Sequence, residues 1–148
     1  MRAVIQRVRE AEVTVDGTSV GRIGRGLVVL AGLARDDDDD DIVWMARKIA
    51  GLRVFDDGTT ERSVVEIGGA VLAVSQFTLL ADCRKGRRPS YDHAMPAEAA
   101  AALFARFVRE LRSVVGDVAT GSFGADMQVR IVNDGPFTLV IDSSRAGA

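Results

Sequence analysis

The chain has 148 residues, of which 47% are apolar, and this is enough to bury the core of one domain without disulfides. Its formal charge of −2 excludes a strongly cationic surface that holds nucleic acid by counterion release alone, so any RNA contact must be local. The single cysteine, Cys83, excludes an internal disulfide and a CxxC site, and it suits a reducing compartment. We therefore predict one domain, residues 1–148.

The first residues argue against export and membrane insertion. Segment 1–7 carries two arginines where a signal peptide needs an apolar run. No stretch approaches the roughly 20 consecutive apolar residues that span a bilayer. The sequence therefore predicts a cytoplasmic protein with no membrane partner.

Apolar residues alternate or run continuously through both ends of the chain, and these patterns predict β-strands. The opening residues alternate from Ala3 to Val8. Asp16-Gly17, between two such runs, predicts a tight hairpin turn. The further predicted strands are 12–15, 19–23, 27–33, 70–75, 127–132 and 137–141.

Two segments have apolar residues at helical spacing. The first covers 42–49, with acidic residues before it and Gly51 after it, as expected at the two ends of a helix. The second starts at Pro96, a residue favoured at the first helical position, and ends at Gly116. Strand runs with two separate helices predict an α+β fold, with a mostly antiparallel sheet or barrel-like sheets and two main helices.

The usual catalytic side chains are scarce. The chain has one histidine, His93, so a Ser-His-Asp triad or a Cys-His dyad would have to be built on it. Neither zinc-ligand spacing nor a P-loop occurs. The acidic run 36–41 predicts a solvated helix entrance, because adjacent carboxylates without turn glycines do not converge on one cation. An enzyme with this sequence must therefore use backbone donors, hydroxyl groups and its own substrate.

Two short polar segments stand at the ends of predicted strands. Segment 75–78 follows an apolar run and places two hydroxyls and an amide at the edge of a core. Segment 133–138 lies between two predicted strands, and its residue types are typical of turns. Each has an ordinary explanation, a hydrogen-bonded strand end for the first and a hairpin turn for the second. The second also has a functional one, because a rigid Gly-Pro unit can test a substrate's configuration by exclusion.

Several ordered segments together resemble the D-aminoacyl-tRNA deacylase family. They are MRAVIQRV at 1–8, SQFTL at 75–79, ADCRKGRRPS at 81–90, GSFGADM at 121–127 and NDGPFT at 133–138. The resemblance covers almost the full chain. It implies an enzyme that hydrolyses the ester bond of D-aminoacyl-tRNA, releases the free D-amino acid and the tRNA, rejects L-aminoacyl-tRNA and accepts glycyl-tRNA. We expect neither a metal nor a cofactor.

The resemblance also implies how the active site is assembled. The family is a homodimer in which a Gly-cis-Pro unit, here Gly135-Pro136, reaches into the partner subunit's active site and excludes L-amino acids. The residues implied for the catalytic pocket, which receives the aminoacylated terminal adenosine, are Ser75, Gln76, Phe77 and Thr78.

Further residues are matched to substrate binding and chiral selection. Arg7 matches a family arginine that braces the Gly-Pro loop, the alternative being an exposed cation at a strand end. One departure is Phe137, which stands where a small β-branched residue is expected and leaves the pocket width open. The other matched residues are Asn133 and Thr138 in the Gly-Pro motif, and Phe123, Ala125 and Met127 near the adenine and the amino acid, with core packing as the alternative for these three.

A basic cluster follows the first motif and consists of Arg84, Lys85, Arg87 and Arg88. It is either a set of contacts to tRNA phosphates or a solvated loop. We expect aminoacylated tRNA, and not DNA, as the partner. Two rival functions stay open: a tRNA-binding module without hydrolysis, which would use this cluster on phosphates, and a different small-ester hydrolase on the same fold.

Ester hydrolysis requires a nucleophile and donors for the tetrahedral oxyanion. We expect the backbone N–H groups of Phe77 and Thr78 to be the donors, while the terminal 2′-hydroxyl of the tRNA helps to activate water. The competing mechanism makes Thr78 Oγ the nucleophile, but a threonine without a neighbouring base is poorly activated.

Overall fold

The computed structural model describes residues 1–143, so residues 144–148 of the predicted domain lie outside the described residues. The helices are α1 (Asp39–Gly51) and α2 (Ala97–Val115), and a short 3-10 helix covers Phe77–Leu80. The strands are β1 (Arg2–Val15), β2 (Thr18–Ile23), β3 (Gly26–Gly32), β4 (Arg53–Asp56), β5 (Glu61–Ser63), β6 (Ala70–Ser75), β7 (Val118–Thr120) and β8 (Gln128–Asp142).

The main sheet curls toward a barrel. Its strand order is β2-β1-β3-β6-β7, and β8 pairs with β1 along most of its length. Every pair that includes β1 is antiparallel, whereas β3, β6 and β7 run parallel to one another. At the two ends of this path, a Cβ atom on Gly21 would lie 2.2 Å from the carbonyl oxygen of Thr120, so β2 and β7 nearly close the sheet. The predicted α+β fold with a mostly antiparallel, barrel-like sheet is confirmed.

Strand β6 is buried on both faces, and this explains its continuous apolar run. Val71 and Ala73 belong to the core cluster shared with the two helices, whereas Leu72 belongs to a second cluster on the opposite face of the sheet. Parallel pairing with β3 sets Ser75 beside Ala31, where both strands approach their carboxyl ends. The first polar motif therefore starts at a well-packed edge of the sheet.

Both predicted helices are present. Helix α1 begins with a capping box in which the Asp38 side chain accepts from the N–H groups of Asp40 and Asp41, and the Asp41 side chain accepts from the N–H of Asp38. Two residues of the acidic run, Asp38 and Asp41, therefore cap the start of this helix. Helix α2 begins at Ala97, with Pro96 as its N-cap and not as its first helical residue. Among residues 1–143, no helix is both long enough and apolar enough to cross a membrane.

The strands differ from the prediction in length and number. The hairpin at Asp16-Gly17 is confirmed, since both residues have positive φ and β1 pairs with β2 directly across them. Strands β1 and β8 are each continuous, although the sequence predicted two strands in the place of each. Strands β4, β5 and β7 were not predicted, because three or four residues are too few to show a period.

Candidate active site

A pocket of about 690 Å³ opens where β3 and β6 end, beside the start of α2. It brings together two of the predicted segments that lie far apart in the sequence. The predicted residues that line it are Ser75, Gln76, Phe77, Phe123, Ala125 and Met127. The other lining residues are Leu33, Arg35, Val74, Tyr91, Ala94, Met95, Pro96, Ala97, Ala100, Gly124 and Val129.

The 3-10 helix presents two free backbone donors beside this pocket. The N–H of Gln76 donates to the carbonyl oxygen of Ala31 at 2.8 Å, whereas the N–H groups of Phe77 and Thr78 meet no acceptor within residues 1–143. The first N–H groups of any helix lack an intrahelical partner, and here no side chain caps them. These two groups can therefore donate hydrogen bonds to a ligand.

Thr78 has no base beside it in the described part of the chain. Its Oγ accepts a hydrogen bond from the Gln76 side-chain amide, and Thr78 does not line the pocket. No histidine or carboxylate is among the lining residues, and His93 and Cys83 are both exposed outside it. The hydroxyl of Thr78 is therefore not activated for attack in the free chain.

The 3-10 helix buries no side chain, so contacts at its ends position it. Gly32 leaves the necessary space, since a Cβ atom there would lie 2.3 Å from Leu80 Cδ2 and 2.9 Å from the carbonyl oxygen of Gln76. Arg2 donates to the carbonyl oxygen of Leu79 at 3.3 Å. Its hydrogen bonds to Asp142, at 2.8 and 3.1 Å, hold the guanidinium in place and raise the pKa of Arg2.

Aromatic rings stand exposed at the pocket. Phe77 is 53% exposed, and its ring makes an edge contact with Tyr91 at a centroid distance of 5.1 Å. Phe123 is 40% exposed and packs against Phe104 at 6.1 Å. Half-buried Met127 packs against the core on its inner side. Exposed rings of this kind offer faces on which a nucleobase can stack.

The second motif is a bulge within a continuous strand, so the hairpin turn, which was its ordinary explanation, is not what forms there. Thr138 pairs opposite Gln6 and Asn133 pairs opposite Val8, so residues 134–137 stand opposite Arg7 alone. The chain does not reverse direction there, since β8 continues along β1 on both sides. We call residues 134–137 the Gly-Pro bulge.

Side chains clamp this bulge from both ends. The Asn133 amide accepts from the N–H of Phe137 at 2.9 Å, donates to the carbonyl oxygen of Phe137 at 3.0 Å and to that of Arg7 at 3.4 Å. Arg7 donates to the carbonyl oxygens of Asp134 at 3.0 Å and Val54 at 2.6 Å. Its guanidinium also lies 4.8 Å from the centre of the Phe137 ring. Since its side chain is only 20% exposed, Arg7 is not a free surface cation.

Any residue other than glycine would be strained at position 135. The peptide bond from Gly135 to Pro136 is cis, and the φ of Gly135 is +133°. A Cβ atom on Gly135 would lie 2.8 Å from Arg7 Nη2. Gly135 and Pro136 are both exposed, whereas the ring of Phe137 turns inward and packs against the core. The bulky residue after the proline therefore points away from the exposed tip.

The Gly-Pro bulge does not reach the pocket of its own chain. Arg7, Asn133, Gly135, Pro136 and Thr138 are all absent from the residues that line it in the described structure. The side chain of Thr138 accepts a hydrogen bond from Gln6 Nε2 at 3.1 Å, on the exposed face of β1. Within one chain, the two motifs therefore form separate sites.

The basic cluster lies on a loop outside the pocket lining. Backbone hydrogen bonds of 2.8 and 2.9 Å between Asp82 and Ser90 close this loop. Arg84 pairs with Asp82 at 2.6 Å, and its hydrogen bonds hold the pKa of Asp82 well below the ordinary value. The remaining three cations, Lys85, Arg87 and Arg88, are exposed. Asp82 therefore offsets part of the positive charge of the cluster.

Among the described lining residues that were not predicted from the sequence, Tyr91 and Arg35 are the two with polar side chains. Tyr91 lies in a polar segment of the sequence. An isolated aromatic residue in such a segment indicates a ring that packs on an exposed surface. Arg35 follows β3 at the edge where Ser75 ends β6, but this proximity depends on a parallel pairing that the sequence did not show.

Known proteins resemble this chain in both sequence and fold. A family model described as D-Tyr-tRNA(Tyr) deacylase matches residues 4–142. The chain belongs to this deacylase family. A protein of Chlorobaculum parvum is 53% identical over 148 residues, covering 98% of this chain and 99% of its own. One of Desulfitobacterium hafniense is 55% identical over 147 residues with the same coverage, and both carry the name D-aminoacyl-tRNA deacylase.

Two solved structures share the fold of this deacylase. One, titled "c-Myc DNA Unwinding Element Binding Protein", has a TM-score of 0.90 and 41% identity, covering 96% of this chain and 98% of its own. The other, titled as a probable eukaryotic D-amino acid tRNA deacylase, has a TM-score of 0.81 over 95% and 97% of the two chains. At 21% identity, the second shows the fold alone.

Proposed function

We propose that this chain hydrolyses the ester bond of D-aminoacyl-tRNA in the pocket at the end of β6, releasing the free D-amino acid and the tRNA. Membership of the deacylase family and the names of its curated relatives support this reaction. The observation that carries the proposal is the pocket itself, in which segments 75–77 and 123–127 meet. The two free N–H groups of Phe77 and Thr78 stand beside it.

The chemistry requires little from side chains. Water adds to the ester carbonyl carbon, and the carbonyl oxygen becomes an oxyanion that the N–H groups of Phe77 and Thr78 stabilise. The bond from this carbon to the ribose oxygen then breaks, the ribose oxygen takes a proton, and the amino acid leaves as a carboxylate. No described side chain of the pocket can serve as a base, so the neighbouring 2′-hydroxyl of the tRNA assists the attacking water.

Stereochemical selection is assigned to a second copy of the chain. The tip of the Gly-Pro bulge, Gly135-Pro136, is exposed, the bulge is clamped by Asn133 and Arg7, and it lies outside the lining of its own pocket, as expected of a rigid element that acts on a partner. In a homodimer, Gly135-Pro136 would enter the partner's pocket and exclude an L side chain by position. Glycyl-tRNA has no side chain to exclude and would be hydrolysed.

Contacts with the tRNA body are assigned to the basic loop. The exposed cations Lys85, Arg87 and Arg88 are suited to phosphate contacts that position the substrate without reading its sequence. Arg84 contributes less, because Asp82 holds its guanidinium. Since aminoacylated tRNA is made and used in the cytoplasm, we place the enzyme there.

A deacylation assay with D-Tyr-tRNA, L-Tyr-tRNA and Gly-tRNA tests the proposal. We expect rapid loss of the D-tyrosyl and glycyl esters, and an L-tyrosyl ester as stable as in buffer. Binding of D-Tyr-tRNA without ester loss over hours would instead indicate a non-catalytic tRNA-binding module. Hydrolysis of simple acyl esters with no preference for tRNA would indicate a general esterase, and equal rates for D-Tyr-tRNA and L-Tyr-tRNA would contradict the role of the bulge.

A further inference from the structure

Arg35 is the one charged residue among the described residues that line the pocket. It lies just after β3, and the parallel register that pairs Ala31 with Ser75 brings it to the same edge of the sheet as the catalytic segment. Its side chain is exposed, so the cation is accessible to a ligand that enters the pocket. A single cation in a neutral and mainly apolar lining indicates a ligand that carries an anionic group.

The Arg35 guanidinium is held in place at Nε, but in the described structure its other two nitrogens are free to donate hydrogen bonds. Its Nε donates to the carbonyl oxygen of Asp92, and its backbone N–H donates to the carbonyl oxygen of His93 at 3.0 Å. The Nη1 and Nη2 groups donate to no acceptor within residues 1–143. A guanidinium held by Nε with both terminal nitrogens free presents a planar fork, which matches two oxygens of a phosphate.

The loop that anchors Arg35 is itself fixed to the residues that directly follow β3. Ala34 forms a β-bridge with Ala94, and the N–H of Met95 donates to the carbonyl oxygen of Leu33 at 2.9 Å. The same loop carries Tyr91, which contacts the ring of Phe77. The guanidinium therefore keeps a defined position relative to the oxyanion donors.

The acidic run that follows Arg35 does not neutralise it. Asp37 accepts from the N–H of Ala34 at 2.6 Å and from the Met1 ammonium group, and Asp39 pairs with Arg106 at 2.8 Å. The capping box engages two more of these carboxylates at the start of α1. In the described structure, Arg35 forms no ion pair with any of them. Its charge thus remains available to a ligand.

We infer that Arg35 binds the phosphodiester that links the terminal adenosine of the substrate to the preceding nucleotide, and this inference rests on the proposed function. The reacting ester is on the terminal ribose, and the same ribose carries that phosphate on its 5′ oxygen. This group is therefore the anion of the substrate closest to the reaction. The α-amino group of the amino acid is basic and is not a ligand for a guanidinium. Arg35 is then a binding residue and takes no part in proton transfer.

The experiment compares two substrates and two enzymes. One substrate is D-Tyr-tRNA, and the other is the same tRNA with an uncharged methylphosphonate at the last internucleotide linkage. The enzymes are the wild type and Arg35→Gln, with Arg35→Lys as the conservative variant and Arg109→Gln, an exposed arginine on α2, as the control. Removing the phosphate charge should lower wild-type kcat/KM about tenfold, mainly through KM, because a charge-assisted hydrogen bond is lost.

The pattern of rates decides the inference. We expect Arg35→Gln to lose about tenfold on the natural substrate and almost nothing more on the methylphosphonate, since the two changes remove one interaction. Arg35→Lys should recover part of the loss, and Arg109→Gln should match the wild type on both substrates. Equal loss for Arg35→Gln on both substrates, as expected if the residue is structural or binds the product carboxylate, would overturn the inference, as would no loss on either. If the wild type left natural D-Tyr-tRNA intact, the proposed function itself would fail.

Discussion

The 3-10 helix at the pocket and the Gly-Pro bulge both present backbone groups, but they are held in different ways. The 3-10 helix buries no side chain and depends on the space at Gly32, on a backbone hydrogen bond to Ala31 and on the guanidinium of Arg2. The bulge is clamped by hydrogen bonds from Asn133 and Arg7, and the latter side chain is largely buried. The first region therefore depends mainly on close packing, and the second mainly on specific polar side chains.

This difference matches the two tasks that we propose for these regions, oxyanion stabilisation and stereochemical selection. Donors for an oxyanion must lie at the right distance, but they require no particular side chain. A stereochemical gate must be rigid, because a gate that moves by the size of a methyl group no longer distinguishes D from L. Substitutions in the two regions should accordingly affect different quantities, rate in one and selectivity in the other.

Gly135→Ala should have the largest effect and should act on selectivity. The φ of +133° disfavours alanine, and the new Cβ would lie 2.8 Å from Arg7 Nη2, so either the bulge or the guanidinium that clamps it must move. We expect the ratio of D-Tyr-tRNA to L-Tyr-tRNA hydrolysis to fall about a hundredfold. Gly17→Ala is the matched control, because Gly17 also has positive φ but has open space around it. A Gly135→Ala enzyme with unchanged selectivity would contradict the gate.

Gly32→Ala should act on rate and leave selectivity intact. The added Cβ would press on Leu80 and on the carbonyl oxygen of Gln76, displacing the 3-10 helix that carries the proposed oxyanion donors. A shift of about 1 Å at such donors lowers kcat by roughly 10- to 100-fold. Single-turnover hydrolysis of D-Tyr-tRNA measures this step. Gly24→Ala, with no atom within 4 Å of its new Cβ, should behave like the wild type.

Arg7→Met should lower stability. It removes the donor from two carbonyl oxygens, those of Asp134 and Val54, in a largely buried position, and we expect a loss of about 1–3 kcal/mol. Denaturant unfolding gives the number. Arg9→Met is the control, since Arg9 also contacts Asp134 but its side chain is 76% exposed, and its loss should cost about 0–1 kcal/mol. Similar losses for the two variants would show that the clamp at Arg7 adds nothing.

Thr78→Ala should have the smallest effect. Its backbone N–H remains, and its hydroxyl has no base beside it in the described pocket, so we expect kcat within about threefold of the wild type. Complete loss of activity in a folded variant would instead make Thr78 Oγ the nucleophile. A substrate with a 2′-deoxy terminal adenosine gives the converse result, with strong loss expected for the wild type.

Local signals predicted the regular part of the fold. Three features show this: the apolar stripe of α2, the hairpin at Asp16-Gly17 and the buried run of β6. In each of them, the residues that form the pattern lie close together in the sequence. The residue types of the Gly-Pro bulge do not distinguish a bulge from a hairpin turn, because Gly and Pro have the same local preferences in both. What keeps the chain straight there is pairing with β1, whose residues lie more than a hundred positions earlier.

For the candidate site too, the sequence predicted some of the pocket residues and missed others. Motif resemblance identified Ser75, Gln76 and Phe77, which do line one pocket with segment 123–127. It did not identify Tyr91 or Arg35, because these residues reach the pocket only through the parallel pairing of β3 with β6 and the loop fixed to it. Tertiary pairings of this kind leave no periodic signal in a single sequence.

The continuity of β8 makes the length of the Gly-Pro bulge as constrained as its residues. Beyond the bulge, Leu139 and Ile141 pack against the core, while Thr138 and Val140 face outward. A hairpin loop can accommodate an inserted residue at its tip without changing the pairing of its strands. Here, residues 138–142 pair with β1, so a change in the length of the bulge would alter their register. If one residue were deleted from 134–137 and the far segment slipped by one to compensate, Leu139 and Ile141 would turn to solvent and Val140 would turn inward.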